Sequence, residues 1–399
     1  MVRQVLEAVE GMQADLVRLT ADLVALATPN PPGSGYERCA AFLEAELRAI
    51  GLAPTLLRVP GGGENPRFCV LATLGEAGPA LHFHGHYDVV PPAAPGDFIP
   101  HVEGGRLYGR GSSDMKGGLA AMCGALRVLR QLGQPRNGRL IVSLVPDEET
   151  GGELGTAFLW REGYLKTGAL GMLMPEPTSG AVWNANRGAI SMLVSVEGKP
   201  AHVGLMHEGV NAFAGVVSIG QALLALRERV EKRTTAEAVD PPEARRSVLL
   251  VGGQCGGGVN FNLVPEECWF TVDRRPNPEE DLAQAKAELL RTIEDATPSG
   301  LKVRCDVFQE GASAATPTDG ALARTLAEVA TVVTGSPPRF AMCPGLCEIR
   351  YFIGNGVPAL AYGPGILGVS HGPGEYIEIE KIGEFAAIYA LTALRVLAM

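Results

Sequence analysis

Residues 81–91 read LHFHGHYDVVP, an apolar segment that ends in histidine and aspartate. Alternation along a β-strand places His82, His84 and His86 on one face, and Asp88 continues that face beyond the end of the strand. In open α/β sheets, ligands bind at the carboxyl ends of the strands. The segment therefore predicts a strand that presents His86 as a metal ligand, with the Asp88 carboxylate fixing its imidazole. We interpret His82 and His84 as structural residues.

Other short apolar segments, bounded by glycine or proline, alternate with helical patterns along the chain. They predict strands at 80–84, 139–145, 170–174 and 358–362, and helices at 119–132 and 321–334. This alternation is typical of an α/β domain with a mostly parallel sheet.

A different order begins near residue 187. It predicts a strand, a helix, two strands, a helix and a strand, at 190–196, 211–229, 247–251, 268–272, 279–297 and 301–308. That βαββαβ order matches a ferredoxin-like unit. We therefore predict a discontinuous larger domain of residues 1–187 and 310–399, with a small domain of residues 188–309 inserted into it.

Composition excludes several classes of protein. The chain has 399 residues, of which 46% are hydrophobic, and a net charge of -10. Such an acidic chain without a basic cluster is a poor ligand for nucleic acid or an anionic membrane surface. Residues 1–28 read as an amphipathic helix and not as a signal peptide, and no apolar run has the roughly 18 residues of a membrane span. We expect a soluble, cytoplasmic protein without nucleic-acid or membrane partners.

Further candidate ligands follow the predicted strands. Residues 107–118 (LYGRGSSDMKGG) contain Asp114, and residues 145–152 (VPDEETGG) contain three adjacent acids. Glu176 and His371 lie in the segments MPEPT and GVSHGP. Asp114 alone could be a helix N-cap, and the adjacent acids could form a solvated loop. Together with His86, however, these residues are expected to converge on one edge of the sheet.

The chemistry of this set indicates a catalytic metal site. Two imidazoles with three carboxylates are too rich in nitrogen for a calcium site and lack the thiolates of structural zinc, but they suit catalytic zinc or a similar divalent ion. A carboxylate shared by two ions roughly 3.5–4 Å apart would use the set economically. The candidate ligands are His86, Asp114, Glu149, Glu176 and His371.

Two other catalytic motifs are disfavoured. Residues 363–368 fit GxGxxG, yet the segment that follows, VSHGPG, cannot open the helix that a dinucleotide site requires. Ser112 and Ser113 lack the second glycine of a GxSxG element, which argues against a serine hydrolase of the nucleophile-elbow type there.

The motifs resemble those of the co-catalytic zinc amidohydrolases, the family of acetylornithine deacetylase, succinyl-diaminopimelate desuccinylase, aminoacylase and glutamate carboxypeptidases. They occur in the family's order over nearly the whole chain. The resemblance implies two Zn²⁺ per subunit, with Co²⁺ or Mn²⁺ as alternatives, and Glu148 as general base. It implies one ion held by His86, Asp114 and Glu176, and another held by Asp114, Glu149 and His371.

The resemblance also assigns a role to the inserted domain, as a lid and as the dimerisation module of a homodimer. Segment 198–202 (GKPAH) is similar to the stretch whose histidine, here His202, reaches the partner's active site. Asn262 and Arg275 resemble substrate-facing residues of the lid. The alternatives are a simple turn at Asn262 and a pairing of Asp273 with Arg275 on a solvated strand face.

One segment departs from the family. Residues 345–350 read GLCEIR where many members have GTSDGR, so Arg350 is retained but Leu346 replaces a hydroxyl donor. We expect Arg350, Arg275 or both to bind a substrate carboxylate, because guanidinium binds carboxylate in a bidentate fork. A structural pairing of Arg350 with Glu348 is the alternative.

The predicted reaction is hydrolysis of the amide bond of an N-acyl amino acid or a small peptide-like substrate. Leu346 indicates a more apolar pocket than in succinyl-specific relatives. The alternatives are a dipeptidase or carboxypeptidase on the same fold, or a catalytically idle metal- or peptide-binding homologue.

Overall fold

The chain forms two compact units in the computed structural model, which describes residues 1–133 and 135–398. The large unit comprises Met1–Asn184, Thr316–Ala341 and Glu348–Met399, and the small unit comprises Ala185–Ala315 and Met342–Cys347. The small unit thus contains the predicted insertion, residues 188–309. It also includes short flanking segments and residues 342–347, which we had placed in the larger domain.

Helices and strands alternate through most of the chain. The helices are α1 (Val2–Ala25), α2 (Tyr36–Ala49), α3 (Gly117–Gln131), α4 (Thr156–Arg161), α5 (Ala212–Val230), α6 (Leu282–Asp295), α7 (Ala321–Thr334), α8 (Ile349–Ile353) and α9 (Ile379–Val396). The strands are β1 (Thr55–Val59), β2 (Arg67–Leu74), β3 (Ala80–His86), β4 (His101–Glu103), β5 (Arg106–Tyr108), β6 (Arg139–Val145), β7 (Gly171–Met174), β8 (Val182–Asn186), β9 (Ala189–Glu197), β10 (Ala201–His202), β11 (Val248–Gly257), β12 (Leu263–Val264), β13 (Glu267–Arg275), β14 (Lys302–Gly311), β15 (Ala314–Ala315), β16 (Phe340–Cys343), β17 (Ala359–Ala361) and β18 (Tyr376–Glu378).

The main sheet of the large unit has the strand order β1-β2-β6-β3-β7-β17-β8. Its central strands β6, β3, β7 and β17 are parallel to their neighbours in this group. Strands β1 and β2 on one side, and β8 on the other, add antiparallel pairs. The predicted α/β class with a parallel central sheet is therefore confirmed.

Burial explains why these segments form the centre of the sheet. Every residue of β3 is buried, as expected for a parallel strand covered on both faces. Helices α1, α3 and α9 pack closely, and Gly124 of α3 permits this packing. A Cβ at Gly124 would lie 2.9 Å from Leu16 and 3.0 Å from Ala386, so a larger residue would force these helices apart.

The small unit contains an antiparallel sheet of order β11-β13-β9-β14. Alternate residues of β9 point into its core, from Ile190 to Val196. Ile219 of α5 and Leu289 of α6 pack into the same cluster. With the chain order βαββαβ, this arrangement confirms the predicted ferredoxin-like unit.

Element boundaries follow local chemistry. The helix predicted at 279–297 begins at Leu282, because the side chain of Asp281 caps it by accepting the N–H of Gln284 at 2.8 Å. The amphipathic pattern of residues 1–28 corresponds to α1. Within the described residues, none of the helices combines the length and apolar character needed to cross a membrane.

Candidate active site

Three of the five candidate ligands lie where parallel strands of the large unit end, and the other two lie in loops. His86 is the last residue of β3, and Glu149 lies in the helical turn Glu148–Thr150 that follows β6. Glu176 follows β7, whereas Asp114 lies in the turn Ser112–Lys116 that leads into α3. His371 completes the set from the loop after the turn Leu367–Val369, and strand topology thus brings together residues from distant parts of the chain.

The carboxylate of Asp114 lies between two imidazoles. Its Oδ1 is 3.3 Å from Nε2 of His86, and its Oδ2 is 3.2 Å from Nε2 of His371. Each oxygen of one carboxylate therefore lies beside a nitrogen that can ligate a metal.

The other two acids flank this arrangement. Oε2 of Glu149 lies 3.3 Å from Nε2 of His371, and Oε1 of Glu176 lies 3.9 Å from Nε2 of His86. The set thus divides into a His86 side with Glu176 and a His371 side with Glu149, with Asp114 common to both.

The polar atoms of the site fit a metal ion. His86 Nε2, Asp114 Oδ1 and Glu149 Oε1 are buried and have no hydrogen-bond partner among the described residues. Ligand atoms of these three residues all lie within 4.8 Å of one another. A buried polar atom without a partner is costly, and bound divalent ions would satisfy these three atoms.

Electrostatics in the metal-free site favour protonated imidazoles. Hydrogen bonds to Asp114 and Glu149 raise the pKa of His371 to about 11. Burial alone would lower the pKa of His86, but the adjacent carboxylates of Asp114 and Asp88 outweigh it and raise this pKa well above its ordinary value. Burial of Asp114 acts to raise its pKa, but the two adjacent imidazoles lower it instead.

Asp88 fixes both His86 and the loop after β6. Nδ1 of His86 lies 2.9 Å from the Asp88 backbone carbonyl, so this nitrogen is assigned the proton and Nε2 faces the site. The Asp88 carboxylate accepts the backbone N–H groups of Glu148 and Glu149, each at 3.1 Å. The sequence predicts that Asp88 orients the His86 imidazole, and the Asp88 carboxylate lies 3.4 Å from Nδ1 of His86. The same carboxylate also positions the loop after β6.

Glu148 lies beside Glu149 in this loop and is half-buried. Desolvation raises its pKa well above the ordinary value, and repulsion from Glu149 and Glu348 acts in the same direction. A carboxylate with a raised pKa holds a proton more readily, as a general base requires at the moment it accepts one.

Sequence reasoning missed three residues that support the site. Asn30 is buried and donates from Nδ2 to the Asp88 carboxylate at 2.8 Å. Glu375 accepts the backbone N–H of Asp114 at 3.0 Å and pairs with Arg110 at 2.6 Å. Arg110 in turn donates to the carbonyl of His371 at 3.2 Å. Asn30 stands next to two prolines that mark a turn, but nothing local in the sequence indicated the partners of Glu375.

His82 and His84 have partners of their own. Nε2 of His82 lies 2.7 Å from Thr167 Oγ1, and Nδ1 of His84 lies 2.6 Å from Ser143 Oγ. Both side chains are buried, and these contacts agree with the structural role predicted for them.

Arg350 is buried in α8 and held on two sides. Its Nη2 donates to the carbonyl of Gly151 at 2.7 Å, and its guanidinium carbon lies 4.3 Å from the centre of the Tyr351 ring. Nη1 is buried without a hydrogen-bond partner in the described chain. Glu348, which we had considered as a partner for Arg350, instead contacts Nε2 of His84 at 3.0 Å.

Three predicted residues belong to the small unit. His202 is exposed on β10, where its Nδ1 accepts the N–H of Gly204. The carbonyl of Asn262 accepts the N–H of Val203 at 3.0 Å, which holds Asn262 beside the His202 strand. Arg275 pairs with Asp273 at 2.6 Å, the arrangement that we had considered as its alternative role.

Comparison with known families identifies the class of protein. Residues 82–395 match the model of peptidase family M20/M25/M40, and the chain belongs to this family. The family assignment and the fold agree with the resemblance noted in the sequence, and the protein is a hydrolase of this family.

Relatives match over almost the full length of the chain. Succinyl-diaminopimelate desuccinylase of Xanthomonas campestris pv. campestris is 28% identical, with 97% of this chain and 100% of the relative covered. Succinyl-diaminopimelate desuccinylase of a Methylobacterium species is 27% identical, with 91% and 95% covered.

Solved structures share the fold. Human carnosine dipeptidase 1 matches with a TM-score of 0.78 at 18% identity, covering 100% of this chain and 99% of that one. An M20 family metallo-carboxypeptidase from Sulfolobus solfataricus matches with a TM-score of 0.79 at 18% identity, covering 96% and 99%.

Proposed function

We propose that the protein is a metal-dependent amidohydrolase that cleaves N-acyl amino acids or small peptide-like amides. One observation carries this proposal: the Asp114 carboxylate lies between the imidazoles of His86 and His371, with Glu148 in the adjacent loop. Relatives named succinyl-diaminopimelate desuccinylase support an acyl-amino-acid substrate.

Two Zn²⁺ ions, or Co²⁺ or Mn²⁺ in their place, would complete the site. His86, Asp114 and Glu176 would hold one ion, and Asp114, Glu149 and His371 the other. When bound, such ions polarise a substrate carbonyl and lower the pKa of water toward neutrality.

Glu148 moves the proton of the reaction. Its carboxylate accepts a proton from the attacking water as the new C–O bond forms at the acyl carbon. The same proton then passes to the amine nitrogen as the C–N bond breaks, so Glu148 ends each turnover in its starting state. Asp88 holds the backbone of Glu148 at 3.1 Å and thereby limits where the carboxylate can lie.

The small unit is proposed to form a homodimer. Helix α5 buries Ile219 and Leu223 in its own core, yet Phe213, Val217 and Leu224 are 57%, 46% and 46% exposed on the opposite side. Contiguous exposed apolar side chains are typical of an interaction surface. Strand β11 is an edge of its described sheet, which leaves backbone groups available for pairing.

In this dimer His202 would act in the partner's active site, where it donates a hydrogen bond to the oxyanion of the tetrahedral intermediate. A preorganised donor of this kind contributes roughly 3–4 kcal/mol to the stability of a transition state. The exposure of His202 supports a role outside its own unit, because within the described residues its side chain makes one local hydrogen bond, accepted by Nδ1 from the N–H of Gly204.

A free carboxylate on the substrate would bind Arg350, Arg275 or both. Nη1 of Arg350 is buried and unpaired in the described structure, and so favours an anionic partner. Arg275 already has Asp273, which makes Arg350 the stronger anchor. Asn262 would contribute a polar contact from the lid. Leu346 is half-buried and would make the adjoining pocket apolar.

A hydrolysis panel tests the proposal. It compares N-acetyl, N-succinyl and aromatic N-acyl amino acids, together with dipeptides, against matched amides that lack the carboxylate. We expect kcat/KM to fall strongly in the neutral series, and Arg350→Ala to reduce it for the acids alone. Preference for dipeptides would favour a peptidase on this fold. Absence of hydrolysis across the panel by metal-loaded protein would contradict the amidohydrolase assignment.

A further inference from the structure

The loop that carries Glu148 and Glu149 is anchored at two ends. At its start, Asp88 accepts the backbone N–H groups of both glutamates. At its end, Gly151 and Gly152 have φ of 110° and 75°, so this part of the loop follows a path that residues with a side chain rarely adopt. Turn hydrogen bonds within the loop shape this end, from the N–H of Gly151 to the carbonyl of Glu148 and from the N–H of Gly152 to the carbonyl of Asp147. Asp88 makes no described hydrogen bond to this end, so a contact from another element must anchor it.

Helix α8 supplies that second anchor. The carbonyl of Gly151 accepts the Tyr351 hydroxyl at 2.8 Å and Nη2 of Arg350 at 2.7 Å. A carbonyl oxygen has two lone pairs, and these two donors occupy both. Gly151 is therefore held on α8 by bonds that leave it no further acceptor capacity.

Glu348 closes the contact from the other side. A Cβ on Gly152 would lie 2.5 Å from Oε1 of Glu348 and 3.2 Å from the Tyr351 ring. Glu348 therefore occupies the space beside Gly152, and the loop end fits only because residue 152 has no side chain.

The position of Glu348 is itself fixed. Its side chain is fully buried, and Oε2 lies 3.0 Å from Nε2 of His84. His84 is held in turn by Ser143 Oγ at 2.6 Å and Thr156 Oγ1 at 2.9 Å. Oε1, which faces Gly152, is buried without a hydrogen-bond partner among the described residues, so the contact of Oε2 with His84 is what orients the Glu348 carboxylate. The Glu348 side chain takes no part in the proton transfers described above.

We propose that Glu348 and Tyr351 are positioning residues that set the location of the Glu148–Glu149 pair from its far end. Tyr351 holds the carbonyl of Gly151, and Glu348 limits the approach of Gly152. The expected effect on turnover rests on the proposed function. The expected effect on the position of Glu149 as a metal ligand does not.

The test compares Tyr351→Phe and Glu348→Gln in Co²⁺-loaded protein. We expect kcat to fall about fivefold in Tyr351→Phe, the loss that one neutral hydrogen bond would cause, and by about tenfold or more in Glu348→Gln, with KM nearly unchanged. The visible absorption band of bound Co²⁺ should shift in both variants while the metal content stays at the wild-type value. Tyr164→Phe and Glu162→Gln serve as controls, since Tyr164 is 45% exposed and the Glu162 side chain 51%.

A second set of variants keeps the test independent of folding defects. Gly152→Ala should lower kcat, because its methyl group meets Glu348 and its φ of 75° disfavours a side chain. Glu348→Asp in the same chain should recover the part of the loss that the contact with Glu348 causes, by withdrawing the carboxylate. Unchanged kcat and unchanged Co²⁺ spectra in Tyr351→Phe and Glu348→Gln would overturn the inference. If the wild type hydrolyses none of the amides, the proposed function fails, and the Co²⁺ spectra alone then decide the inference.

Discussion

Asn30 donates a hydrogen bond of 2.8 Å to the carboxylate of Asp88, far along the chain, and the same carboxylate holds the backbone of Glu148 and Glu149. The Asn30 amide also reaches Thr150 Oγ1 at 2.9 Å, so it contacts both the carboxylate and the loop that the carboxylate organises. Asn30 therefore links the start of the large unit to the loop that carries Glu148 and Glu149.

Replacing Asn30 by alanine should lower kcat. The variant loses a hydrogen bond to a charged group, which contributes roughly 1.5–3 kcal/mol, so we expect a decrease of about tenfold or more if the loss is expressed in the transition state. Steady-state kinetics with metal analysis measure it. Asn65→Ala is the control, because Asn65 donates to Pro32 at an exposed position. Equal kcat values for Asn30→Ala and Asn65→Ala would contradict the role of Asn30.

Glu148→Gln should retain metal and lose turnover. Glutamine keeps the size of the side chain but cannot accept the proton, and removal of a general base costs about 100- to 10,000-fold in rate. Metal content by elemental analysis and kcat by product formation measure the two effects separately. Glu153→Gln is a nearby control, since the Glu153 side chain is 72% exposed. A Glu148→Gln enzyme with near wild-type kcat would exclude Glu148 as the base.

Metal binding should release protons. In the metal-free site the neighbouring carboxylates raise the pKa of His371 to about 11, so its imidazole is protonated at neutral pH, and they shift the pKa of His86 in the same direction. A metal ion binds the unprotonated ring, so loading expels these protons and the apparent affinity rises with pH. Calorimetry at pH 7.5 in buffers of different ionisation enthalpy measures the release. A binding enthalpy independent of the buffer would contradict protonated ligands.

Mixing two inactive variants should restore activity if His202 acts across a dimer. A Glu148→Ala chain supplies His202, and a His202→Ala chain supplies Glu148, so one of the two sites of a hybrid dimer is complete. We expect activity to appear after the subunits exchange and neither variant to recover alone. Sedimentation during the assay establishes the oligomeric state. A fully active monomer would refute the proposal.

Much of this architecture could be predicted from local sequence patterns. Apolar segments bounded by glycine or proline marked β3, β6, β7 and β17, and polar residues after strand ends indicated where ligands would lie. The helix predicted at 321–334 has the same bounds as α7. These features depend on neighbouring residues, which is why a single sequence reveals them.

The supporting contacts could not be predicted because their partners are distant in sequence. Glu375 and Arg110, and likewise His84 and Glu348, pair only once the fold has formed. Strands β1 and β2 and helix α2 were also not predicted. Arg67 illustrates the difficulty: this basic residue begins β2 and pairs across the fold with Asp147 at 3.4 Å.

Metal titration tests the central claim most directly. Metal-free protein is titrated with Zn²⁺, and with Co²⁺ and Mn²⁺ in parallel, while hydrolysis of an N-acyl amino acid is followed at each addition. We predict no hydrolysis at the start, an increase that saturates at about two equivalents per chain, and reduced metal uptake in Asp114→Asn, because in the proposed site one carboxylate would serve both ions. Hydrolysis by the metal-free protein at the loaded rate, or failure to bind any of the three ions, would contradict the account.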